Sequence, residues 1–163
     1  TIERATGVSV VQWVRASVFE PLGMSSADIQ GSPAHAGLAS ADDLSLFGAE
    51  LARPTLVSAP LAALAGLSQF PALAGVVPGY GRFAPCPWGL GVEIRGEKSP
   101  HWTAPDASAR TIGHFGQSGS FVWADRDLGA SAVFVGAQPF GPWHHDNWAS
   151  LNASLLALAR ERS

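Results

Sequence analysis

The apolar positions of this chain follow two successive rhythms. In the first half they recur at three- and four-residue spacing, and from residue 88 they alternate. Ser9 followed by Gln12 has the form of a capping box. Val11, Val14 and Val18, with Trp13 beside them, then predict an amphipathic helix over about 9–19, ended by Pro21 and Gly23. Valine is a weak helix former, so packing must hold this segment. Residues 25–39 are rich in Ser, Gly, Pro and Ala and read as loop. Ser40 with Asp43 repeats the capping signature, with Asp42 and Asp43 in the first turn, where the helix dipole favours carboxylates. Leu44, Phe47 and Leu51 supply that helix's stripe and Pro54 closes it. A further helix is predicted from Ser58, with Leu61, Leu64 and Leu67 on one side. Between Pro71 and Pro87, Gly and Pro punctuate a long connection of the kind that borders clefts.

Trp88, Leu90, Val92 and Ile94 alternate with Gly89, Gly91, Glu93 and Arg95, which predicts a strand with one buried face and turns Glu93 toward solvent. After a polar loop over 96–109, three more strands are expected at 111–115, 121–124 and 130–135. Residues 125–129 form a short hairpin connection between the last two. A final helix over about 146–161, capped by Asp146, presents Trp148, Leu151, Leu155 and Leu158 to the core, with Trp143 packing beside it. Helices, an antiparallel meander and a covering C-terminal helix make an α+β layer arrangement.

Composition narrows the function. Of 163 residues, 47% are apolar and only 14% charged, below the roughly 25% usual for soluble domains. Either the surface is built of small residues, or part of it is meant to be covered. A net charge of -3 without any basic cluster argues against nucleic-acid binding. Cys86 is the only cysteine, which excludes an internal disulfide and a cysteine zinc site and leaves the compartment open. His144 and His145 are adjacent and diverge, and His35 and His101 are isolated, so neither a metal nor another cofactor is expected. No apolar run is long enough to span a membrane. The chain starts without Met and leads directly into helical pattern, as a processed or excised chain would.

Three stretches carry a resemblance. Ile2-Glu3-Arg4-Ala5-Thr6-Gly7 leads to Val18-Phe19-Glu20-Pro21-Leu22-Gly23-Met24, Gly37-Leu38-Ala39-Ser40-Ala41-Asp42-Asp43-Leu44 precedes Phe47, and Gly113-His114-Phe115-Gly116-Gln117-Ser118-Gly119 precedes paired strands. In this order they resemble the superfamily of serine β-lactamases, penicillin-binding proteins and family VIII-like esterases. The resemblance implies a β-lactamase/transpeptidase-like fold of which residues 1–163 would be the C-terminal portion, an incomplete domain. Residues 1–87 would be its mainly helical and loop part, and 88–163 its strands and last helix. The family's Ser-x-x-Lys nucleophile motif does not occur, since the single lysine, Lys98, follows Arg95 by three. The single tyrosine, Tyr80, does not match the family's Tyr-x-Asn. The expectation is therefore a fragment of a serine acyl hydrolase, esterase, amidase or β-lactamase-like, inactive alone and completed by a missing N-terminal segment or companion chain. A non-catalytic ligand-binding or structural relative is the alternative.

Within that resemblance, Gly113–Gly119 occupies the place of the family's third motif. Acyl transfer needs donors for the charge that grows on the carbonyl oxygen, and the resemblance assigns one of them to the Gln117 backbone N–H. His114 is the second expected catalytic residue, since an imidazole donates hydrogen bonds and assists proton transfer near neutral pH. Gly116, Ser118 and Gly119 are expected beside substrate, where a Cβ would intrude at the glycines; the two glycines fit a bulge or turn equally well. Phe115 stands where many members carry Thr or Ser. A phenyl ring there favours a small-molecule ester or amide with an apolar acyl group over a β-lactam, unless the ring faces the core. Trp88, Trp102 and Phe83 fit either an apolar pocket or core anchoring.

Overall fold

A computed structural model describes residues 2–162, so the expected domain limits at Thr1 and Ser163 lie outside the described residues. After the short helix α1 (Ile2–Thr6) come α2 (Val10–Val14), a π-helical turn (Arg15–Phe19) and α3 (Glu20–Leu22) without interruption. The capping box forms as expected, with the Gln12 N–H donating to Ser9 Oγ. The helical run extends beyond its predicted end: Phe19 and Glu20 stay helical, and Pro21 is taken in where the π-helical turn passes into α3. Gly23, at φ 72°, is the stop. The expected loop at 25–39 contains a small antiparallel pair, β1 (Asp28–Ile29) with β2 (Gly37–Leu38).

The second capping box opens α4 (Ala41–Ala52). Asp43 is buried, accepts hydrogen bonds from the Ser40 and Ser26 hydroxyls, and so ties the preceding loop to the helix start. In α5 (Ala59–Ala65) the Leu61 and Leu64 side chains, with Leu67 beyond it, face outward rather than inward, and the buried residue is Ala62. The short contact face of α5 is fixed instead by Arg126, which donates to the Leu51 and Ala62 carbonyls at the ends of both helices. The long connection folds into a second hairpin, β3 (Gly75–Val77) with β4 (Gly81–Phe83).

The main sheet is an antiparallel meander, β5 (Glu93–Ile94), β6 (Ile112–Phe115), β7 (Phe121–Asp125) and β8 (Ala130–Phe134). The strand expected over 88–95 is reduced to β5. The chain turns back on itself at Gly91, φ 82°, so that Trp88 bridges Glu93 and the Gly89 N–H reaches the Val92 carbonyl. An alternating pattern interrupted by two glycines has become a tight hairpin.

Helices cover both faces of the sheet. On one, Ile94, Ile112 and Ala124 meet Leu51 and Ala52 of α4. On the other, Trp102, Phe115, Phe121 and Trp123 meet Trp148 and Leu156 of α6 (Pro142–Glu161). This last helix starts four residues earlier than expected, after Gly141 rather than at Asp146. Leu158 and Trp143 are exposed, and the inward stripe is His144, Trp148, Asn152 and Leu156. Among the described residues no helix is long and apolar enough to cross a membrane.

Asn152, 0% exposed, joins the layers. Its Oδ1 accepts the Trp123 indole N–H at 2.8 Å, and its Nδ2 donates to the Trp102 carbonyl at 2.8 Å. Asn152→Leu strands one donor and one acceptor in the interior, at about 1–3 kcal/mol each. The expected fall in Tm, by thermal denaturation, is roughly 5–15 °C for a domain of this size; an unchanged Tm contradicts the assignment.

Candidate functional site

The β6–β7 turn carries most of the predicted residues. Gly116 N–H donates to the Ser120 carbonyl at 2.9 Å, Gly119 N–H to the Gly116 carbonyl at 3.0 Å, and Phe140 N–H to the Gln117 carbonyl at 2.9 Å. In a trans peptide the N–H lies opposite the C=O. With the Gly116 carbonyl turned into the turn, the Gln117 N–H is turned out of it, and among the described residues it has no hydrogen-bond partner.

This turn edges a groove of about 590 Å³. His114, Gly116, Gln117 and Ser118 line one side, Trp88 and Glu93 adjoin them, and Val76, Val77 and Pro78 of the β3–β4 hairpin, with Ala34 and His35, face them. The exposed His114 ring meets the Trp88 indole edge-on at 5.3 Å and forms no hydrogen bond among the described residues. Ser118 also borders a second, apolar hollow of about 620 Å³, between Val14, Val18, Leu44 and Phe47 on one side and Val135 and Gly136 on the other.

Two predicted residues are placed differently. Phe115 borders the groove through its position in β6, but its ring is buried against Phe140, Trp148 and Trp102 at 4.9, 5.4 and 5.7 Å. The inference from a phenyl ring to an apolar acyl group therefore loses its basis. Gly119 does not line the groove. At φ 74° it makes the turn, and a Cβ there would fall 2.1 Å from the Gln138 carbonyl oxygen and 2.6 Å from His144 Nε2.

Glu93 corrects the expectation of a solvent-facing carboxylate. It is 3% exposed. Its Oε1 lies 3.1 Å from Lys98 Nζ and 3.1 Å from His101 Nε2, and its Oε2 accepts the Trp102 indole N–H at 2.8 Å. The alternation missed this because the partners come from the segment expected as a plain polar loop. His101 Nδ1 accepts the Thr103 N–H at 3.3 Å and lies 2.8 Å from Thr103 Oγ1, which makes His101 a neutral ring with its proton on Nε2, directed at Glu93. Carboxylate, imidazole and hydroxyl stand in triad order, yet Thr103 is buried and lines none of the hollows described, so no substrate reaches it. Lys98, the one lysine, is likewise committed to Glu93 and the Ile94 carbonyl.

Tyr80 stands in the turn of the β3–β4 hairpin, its ring among Phe115, Phe140, His101 and His145, and its hydroxyl has no partner among the described residues. Burial, with the Asp146 and Glu93 charges nearby, raises its pKa and keeps it protonated. No group of three His, Cys, Asp or Glu among the described residues is arranged to hold a metal ion.

Comparison with known proteins places this geometry. The model of the family described as Beta-lactamase matches residues 1–157. A beta-lactamase from Mycobacterium bovis has a similar structure, with TM-score 0.93 and 42% identity over 97% of this chain and 59% of that one. A penicillin-binding protein homologue from Caulobacter crescentus gives TM-score 0.67 at 19% identity, over 95% of this chain and 54% of that one. The unliganded simvastatin synthase of Aspergillus terreus gives 0.70 at 15%, over 96% and 51%. The last two likenesses concern the fold alone. No curated protein matches.

These matches correct four expectations. The family relationship runs along residues 1–157 and the structural agreement covers 97% of the chain, so the chain is a member of the family along its length, which corrects the expectation that residues 1–163 are merely a C-terminal portion of the family's fold. The C-terminal fold class, the inactivity of the chain alone and the missing N-terminal segment or companion chain are expectations drawn from that reading, and none is carried forward as a property of this chain. The chain spans 59% of the length of the Mycobacterium bovis structure.

The buried charges set a pH dependence. Burial pushes the Glu93 pKa up, but hydrogen bonds from His101 and Trp102 and the Lys98 charge outweigh it and hold the carboxyl below its ordinary range. Burial lowers the His101 pKa despite Glu93. The unfolded chain therefore takes up the His101 proton below about pH 6.5 and the Glu93 proton near about 4.3, while the folded chain resists both. Each contribution is complete above the unfolded value of its group and is lost as pH falls from there toward the lower folded one. Tm measured between neutrality and acid should fall steadily; a Tm that rises on acidification contradicts this charge assignment.

Proposed function

From the premise that this chain belongs to the beta-lactamase family, the serine hydrolases related to penicillin-binding proteins, we propose that it serves acyl hydrolysis and that the β6 edge is its substrate wall. The substrate is a small ester, amide or β-lactam-like molecule. Its carbonyl oxygen lies against the Gln117 N–H, its leaving group lies near His114, and its flanking group rests on Val76, Val77, Pro78 and Trp88.

One observation carries this reading: a backbone N–H that, like the imidazole beside it at the rim of a groove, has no hydrogen-bond partner among the described residues. An attacking oxygen, which no Ser-x-x-Lys of residues 1–163 supplies, forms a bond to the carbonyl carbon. The C=O π pair moves as negative charge onto the carbonyl oxygen as it becomes tetrahedral, and the bond to the leaving group then breaks as that group takes up a proton. A donor fixed before reaction stabilises that charge without reorganising, and one such donor is worth about 10²–10³ in rate. The Phe140–Gln117 hydrogen bond fixes the next peptide, so the turn does not have to rearrange. His114 is free to donate to the leaving atom, or to exchange a proton with it, at a contribution of about 10²–10⁴. A Cβ at Gly116 would make only an ordinary contact with Ser118, so the turn itself does not require a glycine there. With the Phe115 ring in the core, discrimination falls to the hairpin residues and Trp88.

Hydrolysis of p-nitrophenyl butyrate and of a chromogenic cephalosporin tests the reading. His114→Ala is expected to lower kcat/KM by about 10²-fold with Tm unchanged. Phe115→Ala is expected to lose about 3–5 kcal/mol of stability, as a core phenylalanine does. A His114→Ala enzyme with the wild-type rate removes the imidazole from the mechanism.

A further inference from the structure

We propose that Glu93 is a positioning residue for this groove: its carboxylate, balanced by Lys98, sets through the Trp102 indole the placement of the β6 edge that carries His114 and Gln117. The inference rests on the function proposed above and extends it to a buried residue at the groove's edge whose carboxylate is committed to Lys98, His101 and Trp102.

The geometry gives Glu93 three connections to the groove wall. In register it pairs with Gly113 of β6, and on its other side it bridges to Trp88. Its side chain holds the indole N–H of Trp102. That indole is the bed on which β6 lies. A Cβ on Gly113 would come within 3.1 Å of its ring, and the ring packs at 5.7 Å on both Phe115 and Phe121. The far end of Trp102 is fixed through its carbonyl by Asn152. Gly116 and Gln117 follow Phe115 directly, so a tilt of the indole is passed to the Gln117 N–H within two residues.

Energetics favour a positioning role over a merely stabilising one. Glu93 and Lys98 side chains are 4% and 1% exposed. Taking such charges out of water costs several kcal/mol per ion, and apolar substitutes for a buried pair are often neutral or stabilising. What the pair supplies and a methylene cannot is direction: a carboxylate with donors at fixed angles on both oxygens admits one placement of the indole. Thr103 contributes by holding His101 as the Nε2–H form, which completes the set of donors around Oε1.

The test uses the whole protein in two forms. Glu93→Gln combined with Lys98→Met removes the ion pair without leaving a buried orphan charge. Trp102→Phe keeps an aromatic bed while removing the N–H that Glu93 holds together with part of the ring. Three quantities are read for each: kcat and KM for p-nitrophenyl butyrate, Tm, and the backbone amide shifts of residues 114–118 in ¹⁵N-labelled protein. The proposal expects kcat to fall about ten- to hundred-fold with KM little changed, as for a misplaced catalytic group, and the amide shifts at 114–118 to move in both forms. A lowered Tm with wild-type kcat and unmoved amides shows a structural role only and overturns it. Should the double variant fail to fold, Trp102→Phe decides by the same two outcomes. Should the wild-type protein hydrolyse no ester, the function proposed above fails by itself, and the amide shifts alone decide whether Glu93 positions the groove.

Discussion

The fold turns on how one buried carboxylate is satisfied. Glu93 lies at the junction of the short strand β5, the 96–104 segment and the floor of the groove, and it accepts from Lys98, His101 and Trp102 together. Without those donors the strand could not carry an anion inward. With them the indole of Trp102 is pinned at its N–H by Glu93 and at its carbonyl by Asn152, which also holds Trp123. Strand, loop and closing helix are thereby joined by hydrogen bonds whose angles leave little freedom, amid aromatic rings that supply most of the apolar burial on that face.

That arrangement explains why the candidate site is built from backbone as much as from side chains. The turn Gly116–Ser120 is closed by its own hydrogen bonds and braced by Phe140, and it leaves the Gln117 N–H at the groove rim without a partner among the described residues. Phe115, next to it, faces inward and anchors the strand against α6. His114 faces outward with Trp88. Strand alternation thus divides the labour between neighbours: one residue holds the wall, the other is presented on it.

Much of this was legible in the sequence where local chemistry decides the outcome. Ser9 with Gln12 and Ser40 with Asp43 predict helix starts that form, and the alternation around 112–134 predicts three strands that pair as a meander. The ordered motifs resemble the family to which the chain belongs. The illegible parts are those fixed by distant partners. Residues 88–95 alternate like a strand, but Gly91 allows the turn that sends Glu93 inward. Asn152 looks like a polar interruption of a leucine stripe until Trp102 and Trp123 are brought to it across 50 and 29 residues. Leu61, Leu64 and Leu67 have helical spacing yet point outward, because Arg126 rather than that stripe holds α5 in place. Spacing alone reports that apolar residues share a face, not what the face meets.

The account depends most on the rim of the groove meeting a carbonyl oxygen. A titration of ¹⁵N-labelled protein with a propyl ketone, which keeps the butyryl carbonyl but has no hydrolysable acyl bond, followed by the backbone resonances, tests this directly. Saturable movement centred on Gln117, with His114 and Ser118 accompanying it, is the predicted result. Movement confined to the hollow lined by Val14, Val18, Leu44 and Phe47, with the Gln117 resonance untouched, would place ligand binding elsewhere and contradict the central claim.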